Sequence, residues 1–192
     1  MDNSRKQKKT SLRRSYRDIF IYTIIFCFFP LLLKLIVGNF PLGDNLEFFE
    51  AMMNFGIYIL LILIILTMLD FCAILVEYNK KTVSFNRIFF FIIYLITIIS
   101  FQFAAIYNSL YILTPNTFKN VEQGSYIIQV FEFFYYSIGI FTTNSVSSIE
   151  ACTFVSKLAT LFESILMFVL LILIIGNLKD VGKAFKDHIS YN

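Results

Sequence analysis

FEFFYYSIGIFTTNSVSSIE, residues 131–150, determines how many times this chain crosses a membrane. Nine of its first eleven residues suit hydrocarbon, and seven mostly polar residues follow, with no proline or charge until Glu150. The stretch is a membrane span, a surface loop, or a segment that enters the membrane and returns. The choice also sets the side on which the C-terminus emerges.

Composition places the whole chain in a bilayer. Of its 192 residues 58% are hydrophobic, with 24 Phe, 11 Tyr and no Trp, and the mean hydropathy is +0.74. Soluble domains average about 45–50% apolar residues, so this composition predicts an integral membrane protein and not a chain built around one aqueous core. Cys27, Cys72 and Cys152 sit in or beside apolar runs without paired spacing, which predicts buried small hydrophobes and no disulfide framework or zinc site. His188 is the only histidine and lies in the tail. A histidine-based triad or metal cluster has nothing to build from, no paired carboxylate motif replaces it, and the chain is expected to be neither an enzyme nor a cofactor binder.

Four runs are long enough to cross as helices, given a need for about 20 residues: 19–37, 51–76, 88–113 and 151–175. A fifth, 126–143, has 18 residues and stands at the boundary of that criterion. Charge decides its status, because short flanks rich in Lys and Arg stay in the cytoplasm. The arm 1–18 carries Arg5, Lys6, Lys8, Lys9, Arg13, Arg14 and Arg17, the connection 38–50 has acids but no base, and Lys80, Lys81 and Arg87 mark the next connection as internal. Lys119 is the only base between the third span and residue 126, whereas Lys179, Lys183 and Lys186 follow the last span. A full crossing by 126–143 would push that basic tail outside. A segment that dips in and returns keeps every basic cluster internal. The expected fold is therefore all-α, with four transmembrane helices, a re-entrant helix 126–143, a loop 144–150, and both termini inside. The first run is longer than a signal-peptide core and lacks a small-x-small site, so it reads as an uncleaved anchor, with Pro30 bending it and Lys34 snorkelling to the outer surface.

A re-entrant segment needs protein around it, because non-helical backbone at membrane depth survives only when enclosed; symmetric copies supply that enclosure. The residues Tyr135-Tyr136-Ser137-Ile138-Gly139-Ile140-Phe141-Thr142-Thr143, followed by a polar segment and Lys157, resemble the pore module of tetrameric potassium channels. The resemblance covers 126–175 and implies a homotetramer in which Thr142 and Thr143 lead into a filter formed by Asn144, Ser145, Val146 and Ser147, with Ser148 where the family has Asp. The departures are specific. Ser145 and Ser147 stand where the family has glycine, Val146 where it has Tyr, and Ala151 where it has Pro. Left-handed backbone costs a non-glycine residue roughly 1–2 kcal/mol, so rings of carbonyls selective for potassium are not expected.

The whole chain, small, four-span, basic at its N-terminus and rich in Phe and Ile, is similar to the KwaA proteins, membrane subunits of the Kiwa anti-phage defence system. That resemblance implies a tetramer in the bacterial inner membrane that senses envelope perturbation and works with a cytoplasmic effector of the KwaB type. Two other functions stay open: a weakly selective ion channel that depolarises the membrane, and a holin-like pore-forming toxin.

Ionisable groups at the centre of a span cost about 2.5–3.5 kcal/mol on insertion scales, so each is a candidate functional residue. Glu163 is the deepest in the last span and reads either as a pore-facing gate or as a structural group bonded across a subunit seam. Glu132 shares a face with Gln129, Tyr136 and Gly139 and reads as a brace of the outer mouth or as an interfacial carboxylate. Asp70 lies near the inner end of the second span, within reach of a base. Arg13, Arg14 and Arg17 in the arm are expected to contact anionic lipid, with direct nucleic-acid contact not expected. In the tail 176–192, Val181, Phe185 and Ile189 are four apart with Lys179, Lys183 and Lys186 on another side. This pattern suits a short helix at the membrane surface or a docking site for a cytoplasmic partner, with Gly182 weakening the helix.

Overall fold

The computed structural model describes the backbone of residues 2–39, 46–79, 85–122, 124–142 and 147–189, and the side chains of 15–36, 55–75, 89–122, 124–142 and 147–176. Five α-helices account for most of it: α1 (Asp2–Asn39), α2 (Leu46–Asn79), α3 (Phe85–Leu113), α4 (Tyr126–Phe141) and α5 (Phe154–Ile189). A 3-10 turn, Pro115–Thr117, follows α3, and two short strands, β1 (Phe118–Lys119) and β2 (Glu150–Ala151), pair antiparallel.

Four helices contain stretches long and apolar enough to cross a membrane: Ser15–Ile36, Phe55–Leu75, Phe89–Leu113 and Phe154–Gly176. The chain is a multi-pass membrane protein in architecture. Its α4 is apolar but shorter, and its 16 residues span about 24 Å at 1.5 Å per residue against a hydrocarbon core of about 30 Å.

The central helix is α3, which packs against α1, α2, α4 and α5. Its residues 102–110 are all buried, and they include Gln102, Asn108 and Ser109 as well as Phe103, Ile106 and Tyr107. Polar groups inside such a helix need local partners. The Gln102 amide donates to Thr67 Oγ1 on α2 at 3.2 Å, and Ser109 Oγ donates back to the Ala105 carbonyl at 2.7 Å. Elsewhere the α1–α2 crossing is close because Gly56 faces Phe29; a Cβ on Gly56 would lie 2.5 Å from the end of that ring.

On α5, Ser156, Ala159, Glu163, Met167 and Leu170 are buried and recur every three or four residues, one inward stripe of a 3.6-residue helix. The opposite face presents Phe154, Leu158, Leu161, Ile165, Phe168 and Ile172 outward.

Four boundaries differ from the sequence expectation. The last span starts at Phe154, not 151, because the backbone of Glu150–Ala151 is engaged by β1. The short apolar helix stops at Phe141, where Thr142 closes it with its N–H on the Ile138 carbonyl at 2.9 Å. The arm does not form a separate element, since α1 is helical from Asp2. The separate short helix expected in the tail is instead the end of α5, which runs through Gly182 to Ile189. One glycine costs only about 1 kcal/mol in a helix, too little to break one with favourable flanks. The cysteines are also less buried than expected: Cys27 is exposed on α1, Cys72 and Cys152 are half-buried, and all three are free thiols.

Candidate functional site

The segment between α3 and α5 begins and ends at one place. Phe118 pairs with Ala151 and Lys119 with Glu150. The Thr117 carbonyl accepts both the Cys152 N–H and the Ser156 hydroxyl, each at 3.0 Å. Asn120 Nδ2 donates to the Ser148 carbonyl at 3.0 Å, and Asn120 has a φ of 59°, a left-handed conformation that asparagine tolerates better than most residues. These contacts form a collar joining the exit of α3 to the entrance of α5, and the chain from 120 to 149, α4 included, is an excursion from that collar.

Beneath the collar, α4 lies against α3 and α5 through aromatic rings. Phe133 meets Phe118 at 5.1 Å between ring centroids and Tyr111 at 5.8 Å, while Tyr107 meets Phe118 and Tyr136 at 5.4 Å each. Three of these contacts are edge-on and Tyr111–Phe133 is tilted, and edge-on aromatic pairs add about 0.5–1.5 kcal/mol beyond area burial. Toward the start of α4, the Lys34 ammonium on α1 sits 5.2 Å from the centre of the Tyr126 ring. Lys34 thus contributes a cation–π contact that ties α1 to α4.

Glu163 occupies the middle of this packing with 0% exposure. Its Oε2 accepts the Tyr107 hydroxyl of α3 at 2.5 Å, and its Oε1 accepts the Ser137 hydroxyl of α4. Both donors are themselves fully buried. One turn earlier on α5, Thr160 Oγ1 lies 3.3 Å from the Tyr136 hydroxyl, either atom donating. A carboxylate taken out of water is costly unless its oxygens are bonded, and here each oxygen has a hydroxyl from a different helix. The arrangement is a clamp that fastens α4 to α3 and α5. Among the described residues no group of His, Cys, Asp and Glu could hold a metal ion.

The structure locates the other candidate residues separately. Thr142 is exposed, with its hydroxyl donating to the Ile138 carbonyl at 3.0 Å. Thr143, Asn144, Ser145 and Val146 lie outside the described residues. Ser147 Oγ accepts the Ile149 N–H at 3.1 Å. Among the described residues Asn120 is the only non-glycine residue with positive φ. Glu132 on α4 and Asp70 on α2 are half-buried. Arg17 Nε pairs with its neighbour Asp18 at 3.2 Å. The side chains of Arg13, Arg14, Lys179, Lys183, Phe185 and Lys186 lie outside the described ones.

Glu163 is the one candidate whose role the packing makes concrete, and the sequence alone does not single out Tyr107 and Ser137 as its partners. The signal it offers is a lone acid in a span, which calls for hydroxyl donors at the same depth. No family model, curated protein or solved structure matches this chain.

Proposed function

We propose that the chain is one subunit of a channel-like homotetramer of the bacterial inner membrane, with α4 and the residues after it forming a re-entrant segment and with both termini in the cytoplasm. In this reading it is the membrane sensor and scaffold subunit of an anti-phage defence system and controls a soluble cytoplasmic effector. The observation that carries the proposal is the pairing of Phe118–Lys119 with Glu150–Ala151. An excursion of 30 residues (120–149) that leaves and rejoins one collar fits a helix and loop that enter the membrane and return. A full crossing would end on the other side.

Enclosure of the non-helical part of that segment at membrane depth requires neighbouring protein, which favours an assembly of copies around an axis. The defence role rests on the likeness of the whole chain to KwaA proteins. The long helical ends of α1 and α5 fit it, since they extend the transmembrane helices toward the side assigned to the effector. The test is phage plating on cells that express this chain, a soluble effector of the KwaB type, or both. Protection requiring both proteins is the expected result. Full protection by the soluble protein alone, or lysis caused by this chain alone, would contradict the proposal.

A further inference from the structure

We propose that neighbouring copies meet along a head-to-tail seam in which Glu132 on α4 of one copy pairs with Lys157 on α5 of the next. This rests on the oligomeric reading above and specifies its contact.

Glu132 lies in a 16-residue apolar helix, half-buried by its own chain. Neither Glu132 nor the exposed Lys157 has a side-chain hydrogen bond or ion pair among the described residues. A carboxylate at that position is expensive without a partner, and a base is the partner that lowers its cost most.

Height determines which base is within reach. The contacts Tyr136–Thr160 and Ser137–Glu163 advance together along α4 and α5, so the two helices run in the same sense. The hydroxyls of Tyr136 and Thr160 meet at 3.3 Å, which sets one turn of α4 beside one turn of α5. Glu132 is one turn before Tyr136, and Lys157 is one turn before Thr160, so the proposal places acid and base at one level. Rotation about an axis along the membrane normal leaves every residue's depth unchanged. Copies related by a cyclic axis therefore bring together only residues of equal depth, and the proposed pair is chosen on that condition.

The surfaces beside the two charges are also unfilled. Next to Glu132, α4 presents Ile127, Phe131 and Tyr135 outward, and next to Lys157, α5 presents Phe154, Leu158 and Leu161. A contact between two different surfaces of identical subunits is heterologous and closes into a ring when the rotation permits. It buries both apolar edges while pairing the charges.

The experiment uses the full chain with its three native cysteines replaced, carrying Glu132→Cys and Lys157→Cys on separately tagged, co-expressed copies, oxidised in the membrane. The expected result is a disulfide-linked dimer carrying both tags, with no dimer from either single variant alone. With both cysteines on one chain, the ladder should extend to the full ring. A bridge formed only within one chain, or no bridge while the particle remains fourfold, would overturn the seam and leave the tetramer intact. A monomeric particle would overturn both. As a second measurement, Glu132→Lys should dissociate the particle, and adding Lys157→Glu should restore it. Persistence of the particle in the single reversal would contradict the pairing.

Discussion

The Tyr107 hydroxyl on α3 donates to Glu163 Oε2 on α5 at 2.5 Å, while Ser137 on α4 occupies the carboxylate's other oxygen. Three helices are therefore joined at one buried group, and the position of α4 depends on it. Glu163→Leu strands two buried hydroxyls, each worth about 1–3 kcal/mol when left unpaired. The expected outcome is a clear loss of thermal stability in detergent, smaller for Glu163→Gln. Combining Tyr107→Phe, Ser137→Ala and Glu163→Leu should recover much of the loss, because removing all partners of a network is nearly neutral compared with removing one. Thermal melts of the single and triple variants decide this; a triple variant less stable than Glu163→Leu would contradict the clamp.

The four long helices can be read directly from the sequence, because runs of about 20 apolar residues have one physical use. The collar cannot. Two-residue strands such as Phe118–Lys119 and Glu150–Ala151 carry no periodicity, and their pairing depends on where α3 ends and α5 begins. The clamp is half legible: Glu163 stands out as an acid in a span, but its donors lie 56 and 26 residues away in sequence, and hydroxyl side chains are too common to identify by spacing. Gly182 misleads for a different reason, since the propensity of a single residue counts for less than the helix on either side of it.

At the α1–α2 crossing, Gly56 admits the Phe29 ring, and a Cβ there would lie 2.5 Å from its end. Gly56→Ala should destabilise the fold by about 1–3 kcal/mol, the usual cost of overpacking. Adding Phe29→Leu, whose side chain is shorter, should return part of that. The same melting assay in detergent checks the pair. An additive loss in the double variant would show that the ring does not limit the approach.

Paired strands lie on one face of the membrane, so Lys119→Cys and Glu150→Cys should label alike. In a background without native cysteines, an impermeant thiol reagent added to spheroplasts should reach both, and the positive-inside argument assigns that side to the exterior. Labelling of one but not the other in intact spheroplasts would break the collar.

Ser145, Val146 and Ser147, at positions where the resembled filter has Gly, Tyr and Gly, predict that any conductance does not follow the potassium gradient. Purified protein in a planar bilayer under opposed sodium and potassium gradients should show either no current at rest or a reversal potential near zero. A reversal potential set by potassium alone would contradict this.

If residues 120–149 enter the membrane and return, as proposed, the chain makes four crossings and its C-terminus is cytoplasmic. Paired fusions of alkaline phosphatase and green fluorescent protein to Asn192 measure this, since the first is active only outside the cytoplasmic membrane and the second fluoresces only inside. A fluorescent, phosphatase-negative pair is the expected result. A phosphatase-positive, non-fluorescent pair would mean that the segment crosses fully, and the re-entrant module with its proposed assembly would fall.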